Sequence, residues 1–123
     1  MIFPRSSDRS SPAIEPSALA QLFAMGGDEL RIALRAQLLT DFSRLREAVA
    51  QRDPQKTGRA IHELKGLAGT VGAHRLADLS RRLDGMGSDL RGEARSVLTE
   101  ALRLEIDAVL AVLRETGEGK PTA

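Results

Sequence analysis

Residues 53–73 read DPQKTGRAIHELKGLAGTVGA, and this stretch carries the start and stop signals of a single helix. Asp53 can cap the first turn with its carboxylate, and Pro54 suits the first helical position, where an amide hydrogen would have no partner. Gly72 tolerates the left-handed backbone conformation in which helices commonly end. The sequence therefore predicts a helix over Pro54–Val71.

This helix has one apolar face and places a histidine opposite it. At about 100° per residue, Ile61, Leu64 and Ala68 fall within one arc of the helix. His62 falls on the opposite side. We therefore expect the helix to bury the apolar arc and to expose the imidazole to solvent.

Three glycines, Gly58, Gly66 and Gly69, share the face of His62. Each interior glycine costs a helix about 1 kcal/mol relative to alanine, which is a large loss for a domain with ~5–15 kcal/mol of net stability. The pattern indicates that something bulky approaches the imidazole closely. The alternatives are close packing of this helix against another, a helix that is simply weak, and a histidine that is ordinary surface.

Phosphoryl transfer is the chemistry that such a face suits. An unprotonated imidazole is a nitrogen nucleophile near neutral pH, and phosphorylation gives it a reactive P–N bond that can pass the group onward. The Lys65 ammonium, one turn from His62, would attract the phosphoryl oxygens. The absent side chains at Gly66 and Gly69 would leave room for the donor's active site.

Residues 62–73 follow the pattern H-x-x-K-G-x-x-G-x-x-G-A, which closely resembles the signature of histidine-containing phosphotransfer (HPt) domains. The resemblance implies that His62 accepts a phosphoryl group from an aspartyl phosphate of one receiver domain and hands it to another. Lys65 and Gly66 match the charge-stabilising and clearance positions of that family. Asp84 is the nearest match to the polar residue that orients the imidazole from the next helix, and Arg81 is another candidate.

The resemblance also implies the partners and cofactors. The partners would be response-regulator receiver domains and an upstream, hybrid histidine kinase. The chain itself would need no cofactor, because Mg²⁺ would belong to the receiver's acidic site. It would be a monomeric phosphocarrier without kinase activity of its own.

Composition and periodicity predict an all-α fold. Leu and Ala fill 35 of the 123 positions, whereas Val and Ile, which favour strands, fill ten. Besides the helix already described, we expect a short helix over Pro16–Met25, a long one capped by Asp28, a fourth over Ala73–Met86 and a last one reaching Glu115. These elements predict an antiparallel four-helix bundle with a short additional N-terminal helix. We place the bundle at residues 15–116, between a disordered leader at 1–14 and a disordered tail at 117–123.

Apolar spacing also predicts which residues form the core. On the second helix we expect the core stripe to be Leu30, Leu34, Leu38, Phe42, Leu45 and Val49. On the last helix we expect it to be Val97, Ala101, Leu104, Ala108 and Val112, broadened by Leu98, Leu102 and Val109.

A partner would dock on the second and third helices. Ile32, Ala36 and Leu39 fall outside the core stripe of the second helix and, with Leu67, could form a semi-exposed apolar patch. Ordinary packing at the edge of the bundle is the alternative.

Charge, cysteine content and hydropathy exclude several classes of function. A formal net charge of +1 argues against nucleic acid as the main ligand. No apolar run approaches the roughly 18–20 residues of a membrane span, and with no cysteine and two histidines we expect no metal site. A cytoplasmic protein is the expectation.

Two other functions stay open. His62-Glu63 also opens the histidine box of sensor-kinase dimerisation domains, but that box continues to a proline, and none follows here before Pro121. The sequence also has no phosphate-binding glycine loop after a strand, which argues against autonomous kinase activity and leaves a dimeric phosphotransferase open. A helical adaptor that binds a signalling partner without phosphorylation would need another reason for the glycines.

Overall fold

The structure, a computed structural model, describes residues 11–118. Over this range the chain forms five α-helices, one short 3₁₀ helix and no β-strand, so the all-α prediction is confirmed. The elements are α1 (Pro16–Phe23), α2 (Asp28–Ala50), α3 (Pro54–Val71), α4 (His74–Met86), the 3₁₀ helix (Gly87–Asp89) and α5 (Gly92–Glu118).

The four longer helices form an antiparallel bundle. Helix α2 contacts α3 and α5, and α4 contacts the same two helices, while α1 contacts α2 and α3. The chain reverses direction over three residues between α2 and α3 and over two between α3 and α4, and such short connections make consecutive helices antiparallel neighbours. The predicted four-helix bundle with an extra N-terminal helix is confirmed.

The core takes one face of each long helix, together with parts of α1 and of the segment before it. Phe42, Leu64, Leu76 and Ile106 are fully buried at its centre, one from each helix of the bundle. Burial of these faces in one hydrophobic cluster fixes how each helix is rotated about its axis.

Helix α3 has the bounds predicted for it. The Asp53 side chain accepts hydrogen bonds from the amides of Gln55 and Lys56, at 2.9 and 3.2 Å. Gly72 ends the helix in the left-handed conformation with φ of 80°. Its carbonyl oxygen then accepts a 2.8 Å hydrogen bond from the amide of Glu15, which ties the segment before α1 to the turn between α3 and α4.

The start of α2 differs from the prediction. Extended Gly27 occupies the cap position, and Asp28 is the first helical residue, where it makes no cap hydrogen bond and pairs with Arg31 instead. Leu30, predicted in the core stripe, is more than half exposed. Its side chain lies against Gly26 of the preceding turn, close to where a Cβ of that residue would be, and so packs away from the bundle.

The predicted core face of α5 is partly wrong. Val97 and Leu104 are more than half exposed, and Ala101, Ala108 and Val112 are only partly buried. The buried residues of this helix are Leu102, Ile106, Val109, Leu110 and Leu113. Both faces of α5 are apolar enough to be a core face, and the bulkier set buries more apolar area against α2 and α4.

The boundaries of the bundle also need correction. Ile14, which we assigned to a disordered leader, is 2% exposed and belongs to the core, because Glu15 and Gly72 are hydrogen-bonded beside it. At the other end, α5 continues through Glu118, so residues 117–118 of the predicted tail are helical. The rest of the leader, residues 1–10, and of the tail, residues 119–123, lies outside the described residues.

Replacing Gly72 by alanine should destabilise the bundle by about 1–3 kcal/mol. The backbone there has φ of 80°, and an added Cβ would lie 2.5 Å from the Cβ of Ala18. Urea denaturation of Gly72→Ala measures the loss. Gly92→Ala is the control, because Gly92 has φ of 61° and open space around its Cβ position. Equal losses in the two variants would show that the contact with Ala18 is unimportant.

Candidate functional site

His62 lies in the middle of α3 and points away from the core. Its side chain is 73% exposed. The adjacent Ile61 is fully buried, and so are Leu64 and Ala68, which lie about one and two turns beyond it. The predicted division of α3 into a buried apolar arc and an exposed histidine face is therefore confirmed.

The glycines of this face are not needed for packing within the chain. Gly58, Gly66 and Gly69 are all exposed, and a Cβ built on any of them meets no atom of the described residues within 4 Å. Close packing against another helix, one alternative reading of these residues, is therefore wrong for this part of the chain. The three positions leave a strip of bare backbone on both sides of the imidazole.

Lys65 and Asp84 form an ion pair beside the histidine. The Lys65 ammonium donates a hydrogen bond of 2.8 Å to Oδ2 of Asp84, and the same oxygen lies 3.7 Å from Nδ1 of His62. The second distance is too long for a hydrogen bond but short enough for attraction to a protonated ring nitrogen. Helix α4 thus brings the carboxylate to the imidazole, as expected of the nearest match to an orienting residue.

The environment of Asp84 favours its charged form. The hydrogen bond from Lys65 lowers the pKa of this carboxyl most, and the positive charges of Lys65 and His62 lower it further, against the opposing effect of desolvation. Asp84 is therefore a carboxylate throughout the physiological range.

Arg81, our other candidate for orienting the imidazole, pairs with a different residue and not with His62. Its guanidinium donates a hydrogen bond to Asp78, one turn earlier on α4, and is exposed. The position beside His62 belongs to Asp84, because the face of α4 turned towards α3 carries residue 84.

The residues of the predicted docking patch do not share one environment. Ala36 is exposed, whereas Leu39 and Leu67 are partly buried against the core. Ile32 is 60% exposed and borders a cavity of about 680 Å³ between α1, α2 and α5. It also lies 12 residues before Arg44, which is level with the histidine, and hence about 18 Å from the site along the helix axis.

The structure contains an ion pair next to His62 that joins α2 to α3 and that we did not predict from the sequence. Arg44 donates hydrogen bonds to Glu63, with Nη2 and Oε2 2.6 Å apart. The register of the α2–α3 hairpin could have revealed it, because the two residues lie at similar distances from the turn. This pair holds α2 against the histidine-bearing stretch of α3.

The described residues contain no group of three or more His, Cys, Asp or Glu side chains that could hold a metal ion. None of the helices in this part of the chain is both long and apolar enough to cross a membrane.

The fold and the site together define a class: a helical bundle that presents one exposed histidine midway along a helix. A family model described as Hpt domain matches residues 29–112, which include α3, α4 and most of α2 and α5. The chain therefore belongs to the Hpt domain family, whose members take part in histidine phosphotransfer in phosphorelays. Searches of curated proteins and of solved structures gave no match.

Replacing Gly69 by alanine should stabilise the isolated protein by about 1 kcal/mol. Alanine is the better helix former by that amount, and the added methyl group enters open space. Urea denaturation at neutral pH measures the gain, and Gly58→Ala should behave in the same way. A loss of stability in either variant would show that the bare strip has a role in the fold.

Asp84→Asn should lower the free energy of unfolding at pH 7, and its difference from wild type should shrink in acid. The pKa of Asp84 is lower in the folded state, so the carboxylate stabilises the fold above its unfolded pKa of about 3.9 and loses this effect as the pH falls through the folded value. Urea denaturation from pH 7 to pH 2.5 tests this. The matched control is Asp78→Asn, because Asp78 lies on the same helix and, within residues 11–118, forms its one ion pair with Arg81. A difference from wild type that stays constant with pH would contradict the assignment.

Proposed function

We propose that this Hpt-family chain is a phosphocarrier in which His62 takes a phosphoryl group from the aspartyl phosphate of one receiver domain and passes it to an aspartate of another. The observation that carries the proposal is the bare strip around an exposed imidazole. No atom of the described residues fills the space at Gly58, Gly66 or Gly69. Their cost in stability is therefore best explained by a molecule that approaches from outside.

The geometry supports Nε2 of His62 as the attacking atom. The Asp84 carboxylate lies on the Nδ1 side of the ring and favours the tautomer that carries its proton there. The lone pair of Nε2 then attacks phosphorus, and an N–P bond forms as the P–O bond to the partner's aspartate breaks. The aspartate leaves with the bonding electrons, and the proton stays on Nδ1, beside Asp84. The onward transfer is the reverse of these steps.

Lys65 would supply positive charge to the transferred group. Its ammonium lies one turn from His62 and is bound to Asp84 in the free protein. A phosphoryl dianion on the imidazole would attract it more strongly than a single carboxylate does, since the dianion carries more charge. We assign Gly66 to steric clearance at the same position.

The proposal extends to the partners. Receiver domains and an upstream, hybrid histidine kinase would exchange phosphate with the chain in the cytoplasm, and Mg²⁺ would be held by the receiver. We propose that the chain is a monomeric carrier without kinase activity of its own. Ala36, Leu39 and Leu67 remain our docking residues near the site, with Ile32 at its far edge.

Treatment with phosphoramidate should phosphorylate His62 and leave His74 largely unmodified. His74 is also exposed, at the first position of α4, but no carboxylate of the described residues lies within 4 Å of its ring nitrogens, whereas Asp84 lies 3.7 Å from Nδ1 of His62. Mass spectrometry of wild type, His62→Ala and His74→Ala locates the phosphate, after circular dichroism has shown that all three are folded. We expect His62→Ala to lose at least nine tenths of the label and His74→Ala to keep it.

The labelled protein is then mixed with a panel of receiver domains and Mg²⁺. Rapid loss of phosphate from His62 to some of the receivers supports the carrier. Label mainly on His74, or a phosphorylated His62 that no receiver discharges, would contradict it. In that case a His62→Ala variant that keeps its partner binding would favour the adaptor.

A further inference from the structure

One end of the bundle carries three arginines, Arg52, Arg91 and Arg95, which we call the arginine end. It lies where α2 turns into α3 and where α4 leads into α5. Arg52 and Arg95 border one hollow of about 270 Å³, and Arg91 and Arg95 border a second of about 370 Å³. Buried Thr57 lines both hollows, so the three guanidinium groups belong to one continuous surface.

The positive charge of this surface is not neutralised within the described part of the chain. Asp89 and Glu93 are near Arg91 in sequence, but neither forms an ion pair with any of the three arginines there. Arg103, which borders the first hollow, is different, because it pairs with both Glu100 and Asp107. Other cations, such as Arg82 and Arg114, also form no ion pair among residues 11–118. The three at the arginine end differ in that they border adjoining hollows, so this surface could accept negative charge.

The backbone at Arg52 supports the same conclusion. This residue has φ of 63°, and within residues 11–118 it alone among residues other than glycine has a positive φ. Glycine or asparagine adopts this conformation with less strain. Strained residues of this kind are concentrated at functional sites. A long cationic side chain therefore occupies a position that the fold alone would give to glycine.

The arginine end lies within reach of anything that covers His62. Gly58 and Pro54 line both the second hollow and the shallow depression beside the histidine, so the two surfaces are continuous. Eight residues of helix separate Pro54 from His62, a distance of about 12 Å. A typical protein interface covers about 800 Å² on each partner, which corresponds to a disc of about 16 Å radius. A partner centred on His62 would therefore cover Pro54, which borders the same hollow as Arg91 and Arg95.

We propose that the arginine end binds the acidic residues around the phosphorylation site of the receiver domain that exchanges phosphate with His62. This inference rests on the proposed function. A site that works with Mg²⁺ is built from carboxylates, since Mg²⁺ prefers oxygen ligands, and its surroundings therefore carry negative potential. Positive charge placed to one side of the histidine would speed the encounter and orient the receiver over α3 towards the α4–α5 connection.

The test compares two double variants with the same change of charge. Arg91→Glu/Arg95→Glu alters the arginine end. Arg82→Glu/Arg114→Glu is the control, because both residues are exposed, neither forms an ion pair among residues 11–118, and neither borders the two hollows. Each protein is phosphorylated with phosphoramidate, and its transfer is measured against the receiver that discharges wild type fastest.

At about 50 mM salt we expect kcat/KM for transfer to fall at least tenfold in the arginine-end variant, mostly through KM, and less than about threefold in the control. The difference should shrink at about 0.5 M salt, where exposed charges are screened over a few ångströms. Labelling of His62 by phosphoramidate should be unchanged in both variants, since that reagent needs no docking surface.

Equal kcat/KM in the two double variants would overturn the inference and leave the proposed function intact. A loss confined to kcat, or a loss of kcat/KM that does not depend on salt, would also overturn the inference. Binding of a duplex oligonucleotide that disappears only in the arginine-end variant, with transfer unchanged, would also overturn it. Failure of the wild-type protein to transfer phosphate to any receiver would instead contradict the proposed function, and it would be seen before any variant is compared.

Discussion

The burial of Ile61, Leu64 and Ala68 is the constraint on which the histidine site depends. Rotating α3 by one residue position, about 100°, would expose the first two side chains at a cost of roughly 1.5–3 kcal/mol each. No interaction of an exposed imidazole could repay that amount. The core therefore holds His62 outward, and the orientation of the nucleophile follows from packing on the opposite side of its helix.

The same helix is weakened on one face and supported on the other. Three interior glycines would leave an isolated α3 largely unfolded, since even good helix formers of this length are marginal in water. The Asp53 cap, the ending at Gly72 and contact with α2 and α4 compensate. Packing against α4 also brings Asp84 to the imidazole, so one helix–helix contact contributes both to stability and to the chemistry of the site.

Local signals allowed the sequence to predict α3 well. Its cap, its proline and its final glycine act within a few residues, and its single apolar arc leaves one choice of core face. Helix α5 is apolar on two faces, and only its packing against α2 and α4 decides that Ile106 is buried and Leu104 exposed. The Lys65–Asp84 and Arg44–Glu63 pairs were harder to foresee for the same reason, because they depend on the register between helices.

The hydrogen bond between Glu15 and Gly72 has a practical consequence for handling the protein. It holds the first described residues at the end of the bundle where α5 also finishes, and Arg75 fixes the Ser11 carbonyl there. The turn at Gly72 is ten residues beyond His62, about 15 Å along α3 and in the direction away from Arg52. A fluorophore attached at residue 11 would thus lie on the far side of His62 from the arginine end.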